Sequence, residues 1–192
     1  MEKIITARKQ KRIESDKRIL RATVELVGER GYSQANLRDI AKLAGISPGL
    51  ISQRFGTKEN LLVQTILSTN TVWKERSIPI DTNVGKVLRG IIREAKKTYE
   101  EDATVYRFLQ VITCSSDIPK EVLDYQANYY KESGMKNLFE KAQKEGHLPE
   151  GNMVLLFNIF VSHTLKLILD FDVAGLKIPE DENILAMIQY KE

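Results

Sequence analysis

The chain has 192 residues, 29 Lys and Arg against 26 Asp and Glu, 42% hydrophobic residues, one Cys and two His. One Cys excludes an internal disulfide and fits a reducing cytosol. His147 and His163 lack metal-ligand spacing with each other or with Cys114, and no glycine-rich phosphate loop is present, so the sequence gives no metal, no cofactor and no enzyme.

The charge is unevenly spread. Residues 1–60 carry thirteen Lys and Arg against seven Asp and Glu, a net of +6, while the remaining 132 residues carry sixteen against nineteen, a net of −3. The basic part opens with Lys3, Arg8, Lys9, Lys11 and Arg12, followed by Lys17, Arg18 and Arg21. Such a run supplies phosphate contacts. It is expected to be disordered without DNA and partly ordered on it. No secretory signal precedes it, and a cytoplasmic location is expected.

A first helix is predicted from about Lys9 or Ser15 to Arg30. Ile19, Leu20, Thr23, Leu26 and Val27 recur at helical steps on one face, and Gly31 ends the helix. Residues 36–61, NLRDIAKLAGISPGLISQRFGTKENL, then spell a helix, a tight turn and a second short helix. Asn36 caps the first, with Asp39 three residues on as a capping-box partner. Small Ala41 lets a second helix pass close, Gly45 turns the chain, and Ile40, Ala44, Ile46 and Ile51 form the apolar seam. Ser47 caps the second helix and Pro48 sits at its first position. Thr57 caps a third helix with Lys58 and Glu59 in its first turn. This layout pushes a short helix into the major groove of DNA. The residues expected to face DNA are Asn36, Leu37, Arg38, Ser47, Pro48, Gly49, Leu50, Ser52, Gln53, Arg54 and Lys58. Gln pairs with adenine and Arg with guanine, and either also suits a phosphate.

The segment resembles the TetR family of bacterial transcriptional regulators. Ile40-Ala41, Ala44-Gly45-Ile46-Ser47, Gly49, Phe55, Lys58-Glu59 and Leu61 match that family's motif, with Ile19, Ala22, Gly31 and Tyr32 upstream. The resemblance covers roughly residues 15–61. Asn36 stands where the family has Thr, preserving the cap. Ser52 stands where the family has Tyr, a residue that often meets the DNA backbone, and Arg54 is the candidate substitute. The resemblance implies an all-α protein: a three-helix DNA-binding domain at residues 1–60 and a helical effector-binding and dimerisation domain at 61–192, about nine helices in all.

Six more helices are predicted, at about 58–76, 83–100, 103–114, 119–145, 152–173 and 180–190, with Pro79, Pro119, Pro149 and Pro179 in or beside the breaks. Gly134 makes a kink or split in the long fourth segment expected. Thirteen of the nineteen residues from Met153 to Phe171 are apolar. Asn158, Ser162, Lys166 and Asp170 nonetheless form a polar stripe with His163 beside it. That argues for a soluble helix, not a membrane span. One side faces its own core and the other suits a twofold copy of itself. The resemblance implies a homodimer through the last two helices, bound to an inverted repeat in double-stranded DNA. Trp73, Tyr99, Tyr106, Tyr125, Tyr129 and His163 are candidate walls of a pocket for a small apolar or aromatic effector. The alternative is a second domain that binds another protein.

Overall fold

Polar side chains mark where several helices begin. Asn36 accepts from Asp39 N at 2.9 Å, Asn83 from Lys86 N at 3.0 Å, Asp102 from Thr104 N and Val105 N at 3.1 and 3.2 Å, and Asn152 from Leu155 N at 3.1 Å. The computed structural model describes residues 2–69, 82–132 and 134–192. Among them it forms ten helices: α1 (Glu2–Arg30), α2 (Leu37–Ala44), α3 (Pro48–Phe55), α4 (Lys58–Thr69), α5 (Val84–Glu101), α6 (Ala103–Cys114), α7 (Lys120–Glu132), α8 (Met135–Lys144), α9 (Met153–Val173) and α10 (Asp181–Ala186).

Three elements differ from expectation. Helix α1 begins at Glu2, because residues 2–14 contain no Gly, Pro, Ser, Asn or Asp to stop it. Its side chains from Ala7 to Glu14 are exposed, so the basic arm is a helical extension standing in solvent. The segment 119–145 is two helices, divided at Gly134, which takes φ 77. That makes ten helices where nine were expected. The last helix stops at Ala186, and Gln189 at φ 56 turns the chain so that Tyr190 packs against Gly85 and Arg89 of α5. The expected helix over 58–76 is described only to Thr69, and its remainder, with Trp73 and Pro79, lies outside the described residues.

The core is one continuous apolar cluster. At the N-terminal end it holds Ile19, Ile40, Ala41, Ile51, Leu61 and Leu62, and further on Leu88, Ile92, Tyr106, Phe108, Phe139, Phe157, Phe160 and Ile168. Continuity comes from α1 packing along α6 and α4 packing on α7. Two polar tethers flank this junction. Arg21 of α1 donates to Asp102 Oδ2 at 2.5 Å, at the start of α6. Ser33, in the α1–α2 turn, donates from its backbone N–H to Asp117 Oδ2 at 2.9 Å.

Helix α9 is long and apolar enough, by length and composition, to cross a membrane. In the fold it instead buries Phe157, Phe160, Val161, Thr164, Leu165 and Ile168 against its neighbours. Its outer face carries Lys166 paired with Asp170 at 2.8 Å, among exposed Val154, Leu155 and Val173.

Candidate nucleic-acid interface

The α2–α3 corner has the predicted seam. Ile40, Ala41 and Ile51 are fully buried and Ala44 nearly so, with Ile46 packed against them. Gly45 ends α2 at φ 65, ψ 44, and its N–H reaches back to Lys42 O. A side chain would be strained in that left-handed conformation, so glycine is what lets α3 leave at a steep angle. Asn36 also donates to Asp39 Oδ2 at 3.0 Å, and Arg30 pairs with the same carboxylate at 3.2 Å. Asn36 thus fixes the start of α2.

Ser47 occupies the cap position of α3 with extended backbone (φ −81, ψ 145), but its hydroxyl makes no capping bond. The first N–H groups of α3 are consequently not taken by this side chain, and Pro48 has none to offer. Ser47, Pro48, Gly49, Ser52 and Gln53 are exposed and Leu50 is half-buried. Arg38 is exposed and Leu37 half-buried on α2. These residues leave α2 and α3 with exposed side chains, and α3 touches α1 through Arg54 at Arg12, Ser15 and Asp16, where the basic extension begins.

Arg54 and Lys58 are placed differently. The Arg54 side chain is only 17% exposed. Its Nη1 donates to Asp16 Oδ1 at 2.6 Å, to Ser15 Oγ, and to Arg12 O at 3.3 Å, all on α1. Lys58 Nζ donates to Tyr32 O at 2.5 Å and lies 3.9 Å above the Tyr32 ring. Burial pushes the Lys58 ammonium below its ordinary pKa. Tyr32 in turn donates to Glu59 at 2.7 Å, which holds that carboxylate below its usual range. Lys58 and Glu59 therefore brace the first turn of α4 against the end of α1. Sequence spacing does not point to Tyr32, Ser15 and Asp16 as parts of this surface. Their partners lie 26 to 39 residues away in the chain, a distance at which no local spacing signal operates.

Of the six expected pocket residues, four have described side chains: Tyr99, Tyr106, Tyr125 and His163. Tyr106 is fully buried and donates to Leu165 O at 2.7 Å, so it is a satisfied core residue. Tyr99 meets it edge-on at 4.9 Å and donates to Asp172 at 2.5 Å. Tyr125 packs on the core from its edge. His163 is exposed and its Nδ1 contacts Ile159 O, four residues back on α9, at 2.8 Å. The side chain of Tyr129, like Trp73, lies outside the described residues. Between α5, α6 and α9 there is a small apolar gap of about 20 Å³ lined by Ile91, Ala95, Leu109, Thr113, Val161, Thr164 and Leu165. A larger open cleft of about 370 Å³ lies where α9 meets α10, lined by Leu167, Phe171, Ile178, Pro179, Met187 and polar residues of the connecting loop.

A three-helix corner with a short exposed second helix and a basic flank defines a helix-turn-helix DNA-binding protein. Residues 19–65 match the family of bacterial regulatory proteins, tetR family. That match lies within the N-terminal module, and the chain as a whole has the fold of TetR-family transcription regulators. The chain is 38% identical over 52 residues to the HTH-type transcriptional regulator BetI of Rhizobium meliloti (strain 1021), a match spanning 27% of this chain and 26% of that protein. A putative TetR-family regulator from Shewanella sp. PV-4 superposes with a TM-score of 0.72 at 18% identity, over 91% of this chain and 95% of that one. The structure of SmeT in complex with triclosan superposes with a TM-score of 0.63 at 16% identity, over 93% and 92% of the two chains.

Proposed function

We propose that the chain is a transcriptional repressor that binds an inverted-repeat operator as a homodimer and is released by a small apolar molecule. The observation that carries the DNA half of this reading is the exposed row Ser47, Pro48, Gly49, Ser52 and Gln53 at the front of α3, held on a buried seam beside exposed basic residues of α1. One such helix reads only a few base pairs, and two related by a twofold axis read a palindrome. Residues 1–60 serve as the reading module and residues 61–192 as the dimerising and effector-responsive one. The dimer uses the outer face of α9 with α10, where Leu155, Val173, Leu176 and Met187 are 58, 77, 58 and 47% exposed. An effector would enter between α5, α6 and α9. The gap there is about 20 Å³, room for about one water, so a ligand must push α6 outward to fit. The SmeT–triclosan complex supports an apolar, aromatic class of ligand on this fold.

The second reading, in which the helical domain answers to another protein, is favoured by the open apolar cleft of about 370 Å³ at the α9–α10 junction. Selection of bound sequences from random duplexes, followed by titration of the winners, tests the DNA reading. The expected product is a two-part symmetric site, and no preference over random competitor refutes it. Release of that site by a panel of small apolar compounds then separates ligand control from protein control.

A further inference from the structure

Arg54 sits at the far end of the helix that carries the DNA-facing residues, yet its guanidinium is turned into the protein. It is shared among Asp16 Oδ1 at 2.6 Å, Ser15 Oγ and Arg12 O at 3.3 Å. Ser15 is buried and itself donates to Arg12 O at 2.9 Å. Asp16 also faces Arg12, four residues earlier on α1, at 3.8 Å. Elsewhere α3 is held by buried Ile51 in the seam with α2, by buried Phe55 at its C-terminal end, and by Asn60 of α4, which donates to Phe55 O at 2.7 Å. Those contacts tie the eight-residue α3 to α2 and α4. The charge-assisted clamp to Ser15 and Asp16 ties it to a third helix, α1, and so restrains its roll about its own axis.

We propose that Arg54 is a positioning residue. By clamping the C-terminal end of α3 to Ser15 and Asp16 of α1, it sets the angle at which Ser47–Gln53 meets DNA and does not itself touch base or phosphate. The same clamp joins the base-reading helix to the root of the basic extension, since Arg12 and Arg54 share one carboxylate. This rests on the DNA-binding reading above. In it, Asp16 strengthens sequence discrimination although it is an anion close to the DNA-facing surface.

The test is a cycle of Arg54→Gln, Asp16→Asn and the double variant in the whole 192-residue chain. Each is titrated against the selected operator and a scrambled duplex over a range of salt, with circular dichroism melts to define the folded range. Each single variant is expected to lower the operator-to-scrambled affinity ratio by about tenfold, the scale of losing a hydrogen bond to a charged group. The double variant should be no worse than either single one, because both break the same clamp. The dependence of affinity on salt should be unchanged in Arg54→Gln. A loss of stability alone, in molecules that remain folded, would leave the affinity ratio untouched. If Arg54 instead holds a phosphate, Arg54→Gln flattens the log–log salt slope by about 0.9 per protomer and Asp16→Asn tightens binding. Either of those results overturns the proposal, as does an unchanged affinity ratio in both single variants. Absence of any duplex preference in the unsubstituted protein would instead sink the underlying DNA reading.

Discussion

Gly28 and Gly90 are both helical glycines, and replacing each by alanine should move stability in opposite directions. Gly28 lies where α1 presses on α6. A Cβ built there falls 3.1 Å from Phe108 N and 3.3 Å from Thr104 O, both backbone atoms. Nothing lies within 4 Å of a Cβ at Gly90 in the middle of α5. The gain in helix propensity is similar at both, up to about 1 kcal/mol. At Gly90 it is realised in full. At Gly28 the two helices must separate by a few tenths of an ångström. Helix α6 is poorly free to yield, pinned by fully buried Tyr106 and Phe108 and by the Asp102–Arg21 pair. Overpacking of this kind costs about 1–3 kcal/mol, so the net effect at Gly28 is a loss of about 1 kcal/mol. For a chain of this size about 1 kcal/mol moves Tm by about 2–4 °C. Melting at matched protomer concentration should therefore show Gly90→Ala above the parent and Gly28→Ala below it by similar amounts. A Gly28→Ala protein that melts higher than the parent refutes the claim that α1 and α6 meet without slack.

Three other outcomes follow from the structure. Hydrogen bonds from Ser115 and Ser33 hold the Asp117 carboxyl at about 2, below its ordinary 3.8. A depressed carboxyl adds stability that is complete above about pH 4 and lost as pH falls toward 2. Asp117→Asn should thus melt below the parent at pH 7, with the difference closing by pH 2; a constant difference refutes this. Replacing Arg8, Lys9 and Lys11 together by Gln should weaken operator binding and flatten its salt dependence by about 0.9 per lost phosphate contact, and an identical slope removes the α1 extension from the interface. Leu155→Glu combined with Val173→Glu should yield a helical monomer in sedimentation with weakened operator binding, and an intact dimer would exclude the outer face of α9 from the interface.

Much of the α2–α3 corner was legible because its determinants are local. Asn36, Gly45 and Pro48 act on the backbone within a few residues of themselves, and a cap, a left-handed turn and a first-turn proline each leave a fixed spacing. The fates of Arg54 and Lys58 were not legible. The sequence places their charges near the DNA-facing end, but a long flexible side chain goes wherever a partner is, and Asp16 and Tyr32 become partners only through the tertiary fold. The same limit applies to the aromatics. Tyr99 and Tyr106 sit seven residues apart on helical segments, yet one ends on Asp172 near the surface and the other on a buried carbonyl of α9. The start of α1 is hidden by composition: a basic run has the character of a tail, although nothing in residues 2–14 interrupts a helix.

Asp102 does two jobs with one carboxylate. It receives the first free N–H groups of α6 and the guanidinium of Arg21 at once. Arg21 also holds it below the usual aspartate range, so both jobs are done by the charged form. Fraying of the first turn of α6 cannot then remain private to that helix. As the chain around Asp102 unwinds, the oxygen that anchors α1 swings away with it. News of a disturbance at the start of α6 thus reaches the DNA-facing end through this joint, beside the packing of α1 on α6.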